Sequence, residues 1–189
     1  MESIVIRPAR ESDAPGIARV HVDAWRSTYR GFVPDTYLDG FQTEPRERFW
    51  RATLANADAP ERVVVAQDAG GEIVGFAAGG PEWAGGARYG GELYAIYLFA
   101  THQRLGLGRQ LTLAVVRHLQ AAGHRAMLVW VLADNPSRGF YEALGGQRVG
   151  SRSVELGGVA LDEVAYGWMD LERLADYIVM SLYMVTGSP

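Results

Sequence analysis

The sequence has no cysteine among its 189 residues. A chain without cysteine forms no disulfide, thiolate metal site or cysteine nucleophile, and it suits a reducing compartment, so we expect a cytoplasmic protein. No apolar run reaches the roughly 18 residues that a bilayer-spanning helix needs. The first residues, MESIVIRPAR, lack a basic start followed by an apolar stretch. We therefore expect neither a membrane partner nor a signal peptide.

An excess of positive charge is also missing. The formal net charge is −4 at pH 7, whereas nucleic-acid-binding proteins present a basic face, so we expect no nucleic acid partner. The hydrophobic share of 48% and the charged share of 21% are close to those of globular domains, which argues against disorder. The four histidines have no spacing to acidic residues that indicates a metal site. We expect one domain and no metal.

Apolar periodicity predicts a mixed order of strands and helices. We expect strands at residues 3–7, 62–67, 72–79, 92–99, 126–133, 147–156 and 159–169. We expect helices from near Pro15 to the break at Gly31, over about 35–54 with an interruption at Pro45, over about 106–122, and in a short segment that ends at Leu144. This order predicts a single α/β domain over residues 1–170, with an antiparallel front end and a central strand–helix–strand unit.

The last segment, residues 171–189, fits this domain less well. It is apolar but too short to span a bilayer. Two interpretations stay open: a final element docked on the domain or on a partner subunit, or a remnant of sequence added for expression. Because contiguous exposed apolar surface normally marks an interface, we expect Ile178, Val179, Leu182 and Tyr183 to be covered and the protein to be a homodimer.

A glycine-containing loop, QRLGLG at residues 103–108, joins an apolar strand to a predicted helix. Glycine allows close approach of the backbone, and the free N–H groups of a helix N-terminus suit a diphosphate. Arg104 and Arg109 add positive charge. A tight turn is the alternative explanation of the glycines. The spacing matches neither the nucleotide triphosphate loop GxxxxGK[ST] nor the dinucleotide fingerprint GxGxxG.

Residues 92–146 resemble the core of the GCN5-related N-acetyltransferase (GNAT) superfamily. QRLGLG is similar to the family's Q/R-x-x-G-x-G/A pyrophosphate loop, and DNPSRGFYEALGG at 134–146 is similar to its second signature, an Asn followed by a helix that carries Phe-Tyr-Glu and ends in Gly. The resemblance extends over about residues 3–170. It implies a mixed, mostly antiparallel sheet flanked by helices, in which strands 92–99 and 126–133 splay into a V-shaped slot.

The resemblance implies acetyl-CoA as cosubstrate and assigns residues to it. Main-chain groups of Ile96, Tyr97 and Leu98 would pair with the pantetheine arm like an added strand. Asn135 would bond that arm from the other side, and Tyr141 would point its hydroxyl at the sulfur. The diphosphate would be held by the loop residues, which are Gln103, Arg104, Leu105, Gly106, Leu107, Gly108 and Arg109.

The implied reaction needs a base and an acid. An alkylammonium has a pKa near 10, so a proton must leave before the amine attacks the thioester. The resemblance places Glu92 as this base; since four extended residues from Glu92 to Ile96 span about 13 Å, it would act through water or attract a cationic acceptor. Tyr141 is protonated at neutral pH and can donate to the thiolate. The alternative interpretation of Glu92 is a solvated carboxylate at the end of a strand, and that of Tyr141 is an aromatic residue packed in the core.

The acceptor site is less defined. Trp25 and Tyr29 occupy the region that walls the acceptor pocket in the family, and Trp83, before Glu92, could cover it; packing is the alternative for each. Trp130 stands where ribosomal N-terminal acetyltransferases carry a second glutamate, which argues against protein N-terminal acetylation. Two hypotheses remain: an N-acetyltransferase acting on a small cationic amine or a peptide lysine in a ternary complex, and a non-catalytic acyl-CoA-binding or regulatory module.

Overall fold

The computed structural model describes residues 3–83 and 88–186. Seven strands form one sheet in the order β1-β2-β3-β4-β5-β7-β6, and only the β4–β5 pair is parallel. This confirms the expected single-domain α/β fold with a mixed, mostly antiparallel sheet. The strands are β1 (Val5–Pro8), β2 (Arg62–Gln67), β3 (Ile73–Pro81), β4 (Gly90–Leu98), β5 (Ala126–Leu132), β6 (Gln147–Leu156) and β7 (Val159–Trp168).

Helices cover both faces of the sheet. They are α1 (Ala14–Tyr29), α2 (Asp35–Gly40), α3 (Thr43–Ala55), α4 (Leu107–Ala121), α5 (Arg138–Ala143) and α6 (Leu171–Thr186). Alternate side chains of β2 enter opposite cores: Val63 and Val65 pack with residues of α1, whereas Val64 and Ala66 pack with residues of α4. Both cores therefore depend on the two-residue period of the central strands.

The prediction of one irregular helix interrupted at Pro45 is wrong. The chain forms α2 and α3 instead, and it breaks between them at Phe41 and Gln42. Pro45 lies in the first turn of α3, where a missing N–H removes no helical hydrogen bond.

The strands β4 and β5 separate soon after they begin. They pair only at Gly90–Ala126, Gly91–Met127 and Glu92–Leu128. Beyond these pairs, β4 follows β3 and β5 follows β7, and a bulge at Tyr94 changes the register of β4 on β3. The strands diverge into the expected V-shaped opening, and the second half of β4 leaves main-chain polar groups without a strand partner on that side.

The tail forms α6, which lies against α4. Leu171, Leu174 and Ile178 are buried in the core that α4 also fills. In the single chain Tyr183 is 74% exposed and shares the outer face of α6 with Met180, so its cover by a partner subunit stays a prediction. Among the described residues, none of the helices combines the length and the apolarity needed to cross a bilayer.

Candidate active site

A cavity of about 780 Å³ lies where β4 and β5 separate, and we call it the slot. Its walls come from β4, the glycine loop, β5, α5 and the end of α1. The residues predicted from the sequence that line it are Tyr29, Ile96, Tyr97, Leu98, Gln103, Arg104, Gly106, Gly108, Arg109, Asn135 and Tyr141. Trp25, Trp83, Glu92, Leu105 and Leu107 are not among the lining residues. Leu105 is 54% exposed, and Leu107 is the buried first residue of α4.

The glycine loop has an unusual backbone before α4. Gly106, the N-cap, has a φ of +79°, and Arg104 has a φ of +64°. A left-handed conformation costs a non-glycine residue about 1–2 kcal/mol, and such strain concentrates at binding sites. The first helical hydrogen bond runs from the Gln110 N–H to the Gly106 carbonyl, at 3.1 Å. The preceding N–H groups of α4 are therefore free to bind an anion.

Arg109 adds an unsatisfied cationic donor to this loop. Its Nε is buried and has no hydrogen-bond partner in the described part of the chain. Because a buried donor without a partner costs free energy, such an atom indicates a missing acceptor. Next to it the slot is narrow: a Cβ added to Gly108 would lie 3.2 Å from Phe140 Cε2. A buried guanidinium Nε without a partner, beside free helix N–H groups, fits the diphosphate of coenzyme A.

Tyr141 presents an unengaged hydroxyl to the slot. Its ring is 6% exposed and lies against Tyr166 and Trp168, with centroids 6.0 and 6.5 Å away. Its hydroxyl has no hydrogen-bond partner within residues 3–83 and 88–186. Burial raises the pKa of Tyr141 above its ordinary value of 10.0, and Tyr29 adds to the rise. Tyr141 is thus protonated at neutral pH and free to donate.

Trp25 and Asn135 both bond to tyrosines of the slot. Trp25 Nε1 donates to the Tyr97 hydroxyl at 2.9 Å, so Trp25 holds Tyr97 from behind. Asn135 Nδ2 donates to the Tyr29 hydroxyl at 3.1 Å, and Asn135 Oδ1 accepts from the Ser137 N–H at 2.7 Å. The Asn135 amide therefore lies at the slot with protein partners on both of its polar atoms.

A buried histidine supports the same wall. His21 stacks on the Tyr97 ring with centroids 5.1 Å apart, and Trp50 Nε1 donates to His21 Nδ1 at 3.1 Å. Burial lowers the pKa of His21 to about 3, with Arg46 acting in the same direction. His21 is neutral at physiological pH and serves as packing behind Tyr97.

Glu92 lies at the apex of the V, outside the slot lining. It is 9% exposed, and its Oε2 accepts from the Trp83 N–H at 3.1 Å. Burial raises its pKa; the Trp83 N–H and Arg152 oppose the rise, and Glu82 and Glu163 reinforce it. Glu92 is therefore a buried carboxyl group with a raised pKa and not the solvated one that the alternative interpretation required.

Trp83 contacts the same region by its backbone more than by its ring. The side chain is 80% exposed and meets Tyr94 edge-on, with centroids 5.4 Å apart. The Gly-rich segment that follows it, residues 84–87, lies outside the described residues. Trp83 thus helps to hold Glu92.

The β6–β7 hairpin carries an ion pair, Arg152 and Glu163, beside the slot residue Trp130. The Arg152 guanidinium lies 4.1 Å over the Trp130 ring and bonds to Glu163 Oε2 at 2.7 Å. Trp130 itself lines the slot.

The sequence analysis did not predict Trp130, Thr28 and Phe140 as lining residues. Phe140 precedes Tyr141 in the second signature and could have been found there, whereas Thr28 has no local signal. No group of three or more metal-ligating side chains occurs among the residues that the structure describes.

Comparisons with known proteins agree with this geometry. The family of FR47-like proteins matches residues 83–154. The uncharacterized N-acetyltransferase YuaI of Bacillus subtilis is 40% identical over 171 residues, which cover 90% of this chain and 96% of YuaI. The L-methionine sulfoximine/L-methionine sulfone acetyltransferase of Pseudomonas aeruginosa is 30% identical over 145 residues, which cover 76% of this chain and 80% of that enzyme.

A solved structure shares the fold. YncA from Salmonella typhimurium, solved with its cofactor acetyl-CoA, superposes with a TM-score of 0.65 at 21% identity, covering 90% of this chain and 95% of that one. Sequence relatives over most of the chain, together with the splayed sheet and both signatures, confirm the resemblance. The chain is an N-acetyltransferase and belongs to the GCN5-related N-acetyltransferase superfamily.

Proposed function

We propose that this enzyme transfers the acetyl group of acetyl-CoA to a primary amine by direct attack within a ternary complex. The observation that carries the proposal is the slot between β4 and β5, with the unpartnered Tyr141 hydroxyl inside it. The structure of YncA was solved with acetyl-CoA as its cofactor, which supports the same donor here.

The donor is held in three places. Main-chain groups of Ile96, Tyr97 and Leu98 pair with the pantetheine arm, because this half of β4 has no strand partner on the slot side. The free N–H groups at the start of α4 receive the diphosphate, and the orphaned Arg109 Nε adds a charged hydrogen bond. Asn135 contacts the arm from the opposite wall.

The chemistry uses Glu92 and Tyr141. The amine loses a proton through water to Glu92; a carboxylate whose pKa is raised by burial is a stronger base than an exposed one. The amine nitrogen then forms a bond to the acetyl carbon, and the carbon–sulfur bond breaks. The leaving thiolate takes the Tyr141 proton. The nitrogen releases its second proton to solvent as the amide forms; when the products leave, Glu92 releases the proton that it accepted and Tyr141 regains one from solvent.

The acceptor is a small cationic amine or a peptide lysine. Glu82 and Glu92 place negative charge at the apex of the V, which attracts an ammonium group. Arg152 favours a second candidate, an amine that also carries a carboxylate, because its guanidinium covers the slot residue Trp130. The Pseudomonas relative, named for acetylating methionine derivatives, supports this candidate.

Two further features complete the proposal. The enzyme acts in the cytoplasm, in keeping with a chain free of cysteine. It forms a homodimer through the exposed apolar face of α6, where Met180 and Tyr183 are 64% and 74% exposed.

The test is a free-thiol assay with acetyl-CoA and a panel of amines: diamines, a lysine peptide and amino acids. Acetyl-CoA binding is measured separately by calorimetry. Thiol release that depends on one class of amine supports the proposal and identifies the acceptor. Tight binding without release for any amine supports the alternative, a non-catalytic acyl-CoA-binding or regulatory module.

A further inference from the structure

Tyr97 lies in the open half of β4 and packs toward α1. It pairs with Phe76 of β3, whereas the pairing of β4 with β5 ends at Glu92. Its neighbours Ile96 and Leu98 pack against the core that α4 fills, and the Tyr97 side chain packs on the opposite face of the sheet, against the core that α1 fills. Because β3 is the strand that pairs with this half of β4, its position at the slot also depends on what holds the Tyr97 side chain.

Two residues of α1 fix the Tyr97 side chain. His21 stacks on its ring with centroids 5.1 Å apart, and Trp25 Nε1 donates to its hydroxyl at 2.9 Å. An indole N–H can only donate, so the Tyr97 oxygen is the acceptor of this bond. His21 and Trp25 are four positions apart and therefore lie on the same face of α1. The helix thus holds Tyr97 by both its ring and its hydroxyl.

The indole of Trp25 is itself held in place. It stacks on the Phe41 ring, with centroids 4.7 Å apart and an interplanar angle of 13°, and its centroid lies 4.8 Å from that of Tyr29. Trp25 is not among the residues that line the slot, so any effect that it has on the slot passes through Tyr97. A donor that packing fixes in this way holds its acceptor in one position.

We propose that Trp25 is a positioning residue for the donor: through Tyr97 it holds the open half of β4 where its main chain can pair with the pantetheine arm. This inference rests on the proposed function. Main-chain hydrogen bonds to an added strand weaken steeply when their distance or angle changes, so a displaced β4 forms them poorly. Without the indole bond, fewer molecules have β4 in the binding position, and the apparent Kd rises in inverse proportion to that fraction.

This role differs from that of a wall of the acceptor pocket, which the sequence predicts for Trp25. A wall residue contacts the amine, so its loss changes the KM for the amine and leaves the affinity for the donor as it was. A positioning residue behind β4 changes the affinity for the donor instead. Neither role needs contact with the reacting atoms, so kcat at saturating substrates should stay at the wild-type value in both cases.

The test is calorimetry of Trp25→Phe with two probes, coenzyme A and 3′-phospho-ADP, which is coenzyme A without its pantetheine arm. Phenylalanine keeps a ring against Phe41 and loses the indole N–H. The Kd for coenzyme A should rise roughly 3- to 10-fold, which is the effect of one hydrogen bond between neutral groups. The Kd for 3′-phospho-ADP should stay unchanged, because this probe engages the glycine loop and not β4.

Tyr97→Phe removes the other partner of the same bond and should also raise the Kd for coenzyme A. It carries the test by itself if Trp25→Phe does not fold. The double variant should bind coenzyme A as weakly as Tyr97→Phe alone, because the two changes delete one shared interaction. Tyr37→Phe is the matched control: it loses the same hydroxyl group from the same apolar cluster, but Tyr37 does not line the slot. It should keep the wild-type Kd for both probes.

An unchanged Kd for coenzyme A in Trp25→Phe and Tyr97→Phe would refute the positioning role alone, and a raised KM for the amine in Trp25→Phe would then place this residue at the acceptor pocket. An equal rise in Kd for both probes would also refute the role, because a general loosening of the fold weakens the glycine loop as well. Failure of the wild type to bind coenzyme A would refute the proposed function, and the role of Trp25 with it.

Discussion

The glycine loop gives the sharpest test of the donor site, through the change Gly106→Val. Gly106 has a φ of +79°, which valine adopts only at a cost of about 1–2 kcal/mol or more. Its Cβ would also lie 3.3 Å from Leu182 Cδ2. The loop must move to relieve both, and the N–H groups at the start of α4 then no longer converge.

The expected fall in affinity can be worked out from the hydrogen bonds that the diphosphate would no longer receive. A hydrogen bond to a charged group contributes about 1.5–3 kcal/mol, so removing two N–H donors weakens binding by at least about 3 kcal/mol. That corresponds to a Kd for acetyl-CoA more than about 100-fold higher. Acetyl-pantetheine has no diphosphate, so kcat/KM for this shorter donor should change little.

The matched control is Gly123→Val, which follows the other end of α4. Gly123 has a φ of +88°, and its added Cβ would meet nothing within 4 Å. Both variants carry the same type of backbone strain, so each should lower the melting temperature, Gly106→Val somewhat more because of its contact with Leu182. Only Gly106→Val should lose affinity for acetyl-CoA in calorimetry. Near-normal affinity in that variant, or an equal loss in Gly123→Val, would remove the loop from the donor site.

Three further predictions concern the base, the acid and the assembly. Tyr141→Phe should keep the wild-type melting temperature, because the hydroxyl has no partner among the described residues. Its kcat should fall about 10²–10⁴-fold at every pH. An unchanged kcat would refute the acid role and leave Tyr141 as a lining residue of the slot. In Glu92→Gln the rate deficit should shrink as the pH rises toward the acceptor's pKa, and a constant deficit would refute a base role. Because burial raises the Glu92 pKa in the fold, the charged form destabilises the protein above that pKa, so Glu92→Gln should melt no lower than wild type at pH 7. Tyr183→Ser should convert a dimer to a monomer in light scattering, and an unchanged mass would exclude this face of α6.

Local patterns are sufficient to predict the features that position the slot. The strands around it and the loop between β4 and α4 are encoded in short runs of apolar residues and glycines, and the two signatures that these runs carry imply the divergence of β4 from β5. The break between α2 and α3 is misplaced for a local reason as well. Proline disrupts a helix in its interior but is tolerated in the first turn, and Pro45 alone does not distinguish the two positions.

The partners of the slot residues could not be predicted, because they join distant segments. Asn135 and Tyr29 are 106 positions apart, and Trp25 and Tyr97 are 72 apart. The sequence places Trp25 at the acceptor pocket, yet in the fold it lies behind Tyr97 and holds that hydroxyl. The burial of Glu92 similarly depends on the chain folding back so that the Trp83 N–H reaches it. No period or motif in one sequence reports such pairings.

Through these long-range hydrogen bonds, α1 connects the two walls of the slot. Trp25 and Tyr29 are four residues apart, so they lie on one face of α1; Tyr29 lines the slot, and Trp25 lies behind Tyr97. Trp25 bonds to β4 through Tyr97, whereas Tyr29 bonds to the segment after β5 through Asn135. The two diverging strands are thus connected through one helix, at their open end, by groups that are already satisfied before acetyl-CoA enters. A slot whose width is fixed in this way requires little reorganisation when acetyl-CoA binds.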